Sequence, residues 1–214
     1  MTFRNKIGLF YLLACCLLFS CHTPREDIGR IVGSTIVFPR QLITVSIGDD
    51  TSVPDTLALI KLVTYIDSDG CDDCSLKILR TWRGFVAEMD SVPSNIECVF
   101  IFAPKRIENL KSGLHVHRFD LPVFYDPDGA FERSNPQLPA NPLFHTFLLD
   151  RDNRVVLVGS PIGNPKMWEL YKSTIARLVE NGGILPKRDT YDTNCKYVCR
   201  DMIVKSFGQQ KYHY

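Results

Sequence analysis

The stretch 57-LALIKLVTYIDSDGCDDC-74 decides how the rest of the chain reads. Leu57 to Ile66 is nearly continuously apolar, broken by Lys61, and rich in aliphatic and β-branched residues. That composition suits a strand buried on both faces of a mainly parallel sheet. The run passes through Asp67-Ser68-Asp69-Gly70 and delivers Cys71-Asp72-Asp73-Cys74 to the start of a helical pattern, in which Ile78, Trp82, Phe85, Val86 and Met89 share one face. Two cysteines three positions apart at a helix start can close a small disulfide loop, while the terminal amide N–H groups and the positive end of the dipole stabilise a thiolate. Cys71 is therefore the expected attacking sulfur and Cys74, one turn further in, the resolving one. Asp72 and Asp73 suit the helix end but raise the energy of a nearby thiolate, which predicts a less acidic Cys71 and a more reducing couple. A static disulfide, half of a metal site and a chance pairing remain open for the same four residues. The acidic run Asp67 to Asp73 lacks glycine and glutamate at EF-hand positions.

Outward from this stretch, Ile96 to Ala103 predicts a second strand after Pro93, giving a strand, helix, strand unit with a right-handed crossover. Cys98 within it reads as a small buried hydrophobe. A short helix is expected over Ile107 to Ser112 and a brief strand over Leu121 to Asp126, stopped by Pro127-Asp128-Gly129. His115 and His117 alternate as residues on one strand face do, and with no third ligand close in sequence they read as a solvated face. Phe144 to Leu149 and Val155 to Val158 predict a hairpin around Asp150-Arg151-Asp152-Asn153-Arg154. Asn164 then Pro165 reads as a helix cap; Trp168, Tyr171, Ile175, Leu178 and Val179 form its apolar stripe, and Gly182-Gly183 ends it. Upstream, His22 to Pro54 reads as a tether with short strands, and Pro39 after Ile36-Val37-Phe38 places that piece at a sheet edge.

The 214 residues carry 25 Lys+Arg against 24 Asp+Glu, a formal net charge of +1. That balance argues against binding nucleic acid through its phosphates, and 45% hydrophobic residues support a packed core. Arg4 and Lys6 precede an uncharged run from Ile7 to Ser20, shorter than the roughly 20 apolar residues a spanning helix needs, so it reads as a secretory leader. Its end, Leu18-Phe19-Ser20-Cys21, resembles the lipobox of bacterial lipoproteins, which implies lipidation of Cys21; Leu12-Leu13-Ala14-Cys15 is a competing match and a plain cleaved signal is the alternative. Of the eight cysteines, Cys15 and Cys16 then leave with the leader, so that Cys71, Cys74, Cys98, Cys195 and Cys199 face an oxidising compartment. Cys195 and Cys199 read first as a structural disulfide pinning a tail, although their i, i+4 spacing on a helix would need distortion to close. The expected organisation is 1–20 leader, 21–55 lipid tether and edge strands, 56–185 a single α/β domain, and 186–214 a polar tail.

The order strand, CxxC, helix, strand, then PVFYDPDGAF, then FHTFLLDRDNRVVLVG, then a capped helix resembles the thioredoxin-like family, in its exported TlpA/ResA-like and AhpC/TSA-like branch, over about Leu57 to Asn181. The resemblance implies a central mixed sheet flanked by helices and thiol-disulfide exchange through Cys71 and Cys74, with no dissociable cofactor and no metal. The partner would be a protein thiol or disulfide of the cell envelope. His22 after Cys21 favours outer-membrane sorting by the same kind of analogy. Two positions depart from the family pattern. Gly70 stands where a tryptophan is usual, and Phe144 stands where a cis-proline is expected, the nearest proline being Pro142. His145, beside that position, is a candidate proton carrier. Asp72, Asp73, Pro142, Phe144 and His145 are thus the expected neighbours of the cysteine pair. No P-x-x-x-T-x-x-C motif precedes Cys71, which argues against a peroxidase. Two other readings stand beside the oxidoreductase: a non-catalytic binding or envelope-scaffold module, and a Cu(I)-handling protein using the two thiolates.

Overall fold

The computed structural model describes residues 24–47, 53–67, 78–89 and 96–186. Within them, the chain runs α1 (Pro24–Ile31), β1 (Ile43–Val45), β2 (Ile60–Ile66), α2 (Ile78–Met89), β3 (Ile96–Phe102), α3 (Ile107–Val116), β4 (Val123–Tyr125), α4 (Ala130–Ser134), a 3-10 turn (Pro142–Phe144), β5 (Thr146–Leu149), β6 (Val155–Val158) and α5 (Pro165–Glu180). The six strands form one sheet in the order β1-β4-β3-β2-β5-β6. Strands β2, β3 and β4 are parallel, whereas β5 pairs antiparallel with β2, β6 with β5 and β1 with β4. The mixed sheet flanked by helices is the α/β architecture expected from the sequence.

β2 is buried on both faces because all but one of its residues from Ile60 to Tyr65 are uncharged. Ile60 through Tyr65 are all buried, Lys61 included. Thr64 and Tyr65 point to opposite faces. On the Thr64 side its register partner Phe100 meets Trp82 of α2 at 5.4 Å and Phe119 at 5.0 Å, both edge-on. On the other side, Tyr65 packs on Phe131 of α4 (5.2 Å), which in turn meets Phe38 (6.1 Å). Of the periodic stripe of α2, Trp82, Phe85, Val86 and Met89 are buried, and Leu79 joins them. Phe85 also meets Trp168 of α5 at 4.7 Å, so α2 and α5 lie side by side.

Lys61, the second residue of this strand, is buried at a cost. Burial pushes its ammonium below the usual lysine range, against the opposing pull of Asp150, Asp55 and Asp152, and Nζ donates to the carbonyl of Ala58. At the far end of the domain, Asn164 accepts from the Met167 amide, Pro165 starts α5, and Gly182 and Gly183 at positive φ end it. A Cβ on Gly183 would fall 2.7 Å from Leu59 Cδ1, so this turn closes tightly on the chain entering β2.

Several local expectations differ from the structure. The tether region contains the helix α1, which buries Ile28 and Ile31. Ile36-Val37-Phe38 is not a strand. Thr35 makes an isolated bridge to Arg154, Ile36 donates to the Asn153 carbonyl, and the edge strand comes later, as β1. The helix expected to Ser112 extends to Val116 as α3, placing His115 in its last turn and His117 at its C-cap instead of on a strand. Alternation over three residues was too short to separate the two periods. Cys98 is only partly buried, in the less enclosed first half of β3, and so is not the fully buried hydrophobe expected. No helix among the described residues is long and apolar enough to cross a membrane.

Candidate functional site

The C-terminal ends of the three parallel strands lie in one row. Ile66 registers with Phe102 and Phe102 with Tyr125, and the ladder continues as Ala103 N–H donates to Ile66 O (2.9 Å) and Asp126 N–H to Phe102 O (2.8 Å). In open α/β sheets this edge is where loops diverge and sites form. The described chain stops at Asp67, one residue past β2, and resumes at Ile78, the first residue of α2. Cys71, Asp72, Asp73 and Cys74 lie outside the described residues, as do Cys21, Cys195 and Cys199.

Asp126 is buried at this edge because it caps α4: its two carboxylate oxygens accept from the amides of Ala130 and Phe131, each at 2.8 Å. Next to it, Tyr65 donates through its hydroxyl to Glu132 of α4 (3.4 Å). Burial first, then Glu132, Asp126 and Asp67, push this phenol well above the usual tyrosine range. An open cavity of about 450 Å³ lies alongside, lined by Asp128, Gly129, Glu132, Arg133, Asn135, Pro136 and Leu138.

Of the site neighbours expected from sequence, Pro142, Phe144 and His145 are described. Pro142 opens the 3-10 turn, whose Leu143 amide donates to Asn141 Oδ1. Phe144, where the sequence reading expects a cis-proline, is buried, and no peptide bond among the described residues is cis. His145 is held by its own backbone twice, its N–H donating to Pro142 O (3.0 Å) and its carbonyl accepting from Tyr65 N–H (3.0 Å). Its ring is 6% exposed, lies 5.4 Å from the Tyr65 ring, and bonds through Nε2 to the Pro139 carbonyl at 2.8 Å. A carbonyl only accepts, so Nε2 carries the hydrogen. Nδ1 faces Asp67 Oδ2 at 4.0 Å. The sequence picked out His145 from its place before β5, but gave no sign of Asp67 as its neighbour, since 78 residues separate them and only the β2–β5 pairing brings them together. No group of three metal-ligating side chains occurs among the described residues.

Strand order and connections define the class. A parallel β2-α2-β3 unit, an antiparallel β5-β6 hairpin on the other side of β2 and a closing helix α5 make a thioredoxin-like fold. No protein-family model matches the sequence, and no curated protein matches it. Among solved structures, the chain is similar to a putative protein disulfide isomerase from Bacteroides thetaiotaomicron, at 13% identity and a TM-score of 0.47 over 70% of this chain and 90% of that one. It is similar also to the thioredoxin domain of a thiol-disulfide oxidoreductase from Bacteroides vulgatus (17% identity, TM-score 0.46, 67% of this chain and 97% of that one). A third is a putative thiol:disulfide interchange protein DsbE from Chlorobium tepidum (16% identity, TM-score 0.43, 57% and 82%).

Proposed function

We propose that this chain is an exported, lipid-anchored thiol-disulfide oxidoreductase that exchanges electrons with protein disulfides of the cell envelope through Cys71 and Cys74. The observation that carries the reading is positional. In the sequence, Cys71-Asp72-Asp73-Cys74 follows the central strand β2 and precedes α2, and β2 itself ends in the row where the three parallel strands finish. Thiolate attack on a disulfide needs an exposed, ionisable sulfur, and a strand end followed by a helix start supplies both access and a favourable dipole. The leader pattern and Cys21 support export and anchoring, with the outer membrane favoured over the inner by His22, and the exported setting supplies protein disulfides as partners.

A second reading, a non-catalytic binding module with Cys71 and Cys74 as a static bridge, is favoured by one observation: Phe144 fills with a buried ring the position where the sequence reading expects a cis-proline. The two separate in one assay. Full-length protein in detergent is expected to reduce insulin disulfides with dithiothreitol as electron source, and Cys71→Ser to abolish that reduction. Equal rates for the two proteins remove Cys71 from any mechanism and leave the binding module. Stoichiometric Cu(I) retained through gel filtration would instead support metal handling by the same sulfurs.

A further inference from the structure

We propose that the outer face of α3 and the turn that ends it dock on the anionic headgroups of a lipid bilayer, with Lys105, Arg106, Lys111 and Arg118 supplying the charge and Val116 entering between the headgroups. The docking rests on the anchored reading above only for bringing a bilayer within reach. Arg118 occupies a glycine's place. At the end of α3, Arg118 N–H donates to His115 O (3.1 Å) and Phe119 N–H to Leu114 O (2.9 Å), and Leu114 and Phe119 are both fully buried. Such a closing turn needs a left-handed residue one position past the cap, and glycine is the usual one because it has no Cβ to clash. α5 closes in the same way, with Gly182 N–H on Val179 O (3.2 Å), Gly183 N–H on Leu178 O (2.7 Å) and Gly182 at φ 63°. In α3 the equivalent residue is Arg118, at φ 52°. Among the described residues one other non-glycine has a positive φ, Asn153, and asparagine tolerates that conformation. The chain thus accepts backbone strain to set an exposed guanidinium at this turn.

The surroundings of that guanidinium are cationic. Positions 105–118 hold Lys105, Arg106, Lys111 and Arg118 against Glu108 alone, a net +3 in a chain whose total is +1. All five side chains are exposed. Glu108 is matched to Arg106 at 3.7 Å, while Lys105, Lys111 and Arg118 have no carboxylate partner among the described residues. Leu110, Gly113 and Leu114 face the core, so Lys111 and Val116 lie on the outer side, where Val116 is 63% exposed. A small anion is held by donors that converge on one point. Here the charges are spread along a helix of 10 residues, about 15 Å, around a protruding aliphatic side chain. That spread complements a continuous anionic surface, at which each Lys or Arg adds its own attraction. A protein-docking face draws its strongest contacts from aromatic anchors, and this stretch exposes no Trp, Tyr or Phe.

The test mixes full-length protein with vesicles of phosphatidylcholine alone, or of equal parts phosphatidylcholine and phosphatidylglycerol. Docking is read from quenching of Val116→Trp fluorescence by brominated lipid, over the background of Trp82 and Trp168, and flotation with the vesicles reports attachment by any route. Quenching is expected in the anionic vesicles only, and is expected to fall as salt rises from about 0.15 to about 1 M and the Debye length shrinks from about 8 to about 3 Å. Arg118→Gly, added to Val116→Trp, should lower the ratio of docked to free domain about fivefold, the share of one cation at an anionic leaflet, and Lys111→Glu should lower it further. Arg118→Gly alone should raise the urea midpoint, because the turn then has its glycine. Damage to the fold would lower that midpoint instead, so the two effects separate. Equal quenching in both vesicle types, quenching that salt leaves unchanged, or full docking in both Arg118→Gly and Lys111→Glu overturns the proposal. So does binding of a polyglutamate peptide in place of anionic vesicles, abolished by Lys111→Glu, which assigns the face to an acidic protein. Flotation with phosphatidylcholine but no quenching in anionic vesicles removes the docking and leaves the anchored reading standing. Flotation and quenching with anionic vesicles alone do the reverse.

Discussion

Replacing Asn135 by alanine removes a buried side-chain amide that helps pin the segment before β1 to the domain. Asn135 is 0% exposed. Its Oδ1 accepts from the Val37 amide at 2.8 Å, and Nδ2 donates to the Val37 carbonyl at 2.9 Å and to the Phe131 carbonyl at 2.7 Å. The two bonds to Val37 imitate a residue pair of an antiparallel ladder, made by a side chain. A further contact from Gln137 Nε2, at 3.3 Å, is long and contributes little. Three well-formed hydrogen bonds contribute about 1 kcal/mol each, so Asn135→Ala is expected to cost roughly 3 kcal/mol. Val37 is half exposed, so its freed groups regain water; the Phe131 carbonyl, deeper, carries more of the loss. Asn135→Asp keeps the acceptor for Val37 N–H but turns a carboxylate on two carbonyls, and should cost at least as much at pH 7. Part of that loss should return below about pH 4, where the carboxyl regains a donor. Urea unfolding supplies the free energies, and hydrogen exchange at the Val37 amide reports the local release. A loss under about 1 kcal/mol for the alanine variant, or an aspartate variant as stable as wild type at pH 7, would refute the account.

Other outcomes follow from single side chains. Lys61→Met, which keeps length and removes the buried charge, is expected to leave the urea midpoint unchanged or higher at pH 7. Because the folded-state lysine titrates below its unfolded value, the unfolded chain binds more protons between that lowered value and about 10.5, wild-type stability rises with pH there, and any advantage of Lys61→Met should shrink. A clear loss in the variant at pH 7 would mean that attraction to Asp150 outweighs the burial cost. Tyr65 and Tyr171 have the opposite sense: both are held protonated by burial, so stability is full below about pH 10 and falls above it by about 1.4 kcal/mol per pH unit for each phenol. Tyr65→Phe should halve the slope assigned to this pair, and an unchanged alkaline profile would show that Tyr65 does not contribute. Asn164→Ala, which removes the cap of α5, should lower unfolding free energy by about 1 kcal/mol in the same titration, and Asn164→Asp should retain most of it.

Elements whose signal lies within a dozen residues were legible from the chain alone. The apolar run that makes β2, the stripe of α2 and the Asn164-Pro165 start with its Gly182-Gly183 end each express one local rule, either burial on both faces, a 3.6 period or a cap, and tertiary packing agrees with all three. Weak or short patterns failed for the same reason that strong ones succeeded. Pro24 to Ile31 has a polar average and becomes a helix by setting Ile28 and Ile31 into the core, a choice made by the surface it meets. Ile36-Val37-Phe38 has strand composition but receives its hydrogen bonds from a turn and from one asparagine. Nothing near Asn135 in sequence announces Val37, and nothing near His145 announces Asp67. Those pairings exist because strand order brings distant residues to one edge, where a buried polar atom must find its partner across space, while periodicity records only what a residue shares with its neighbours along the chain.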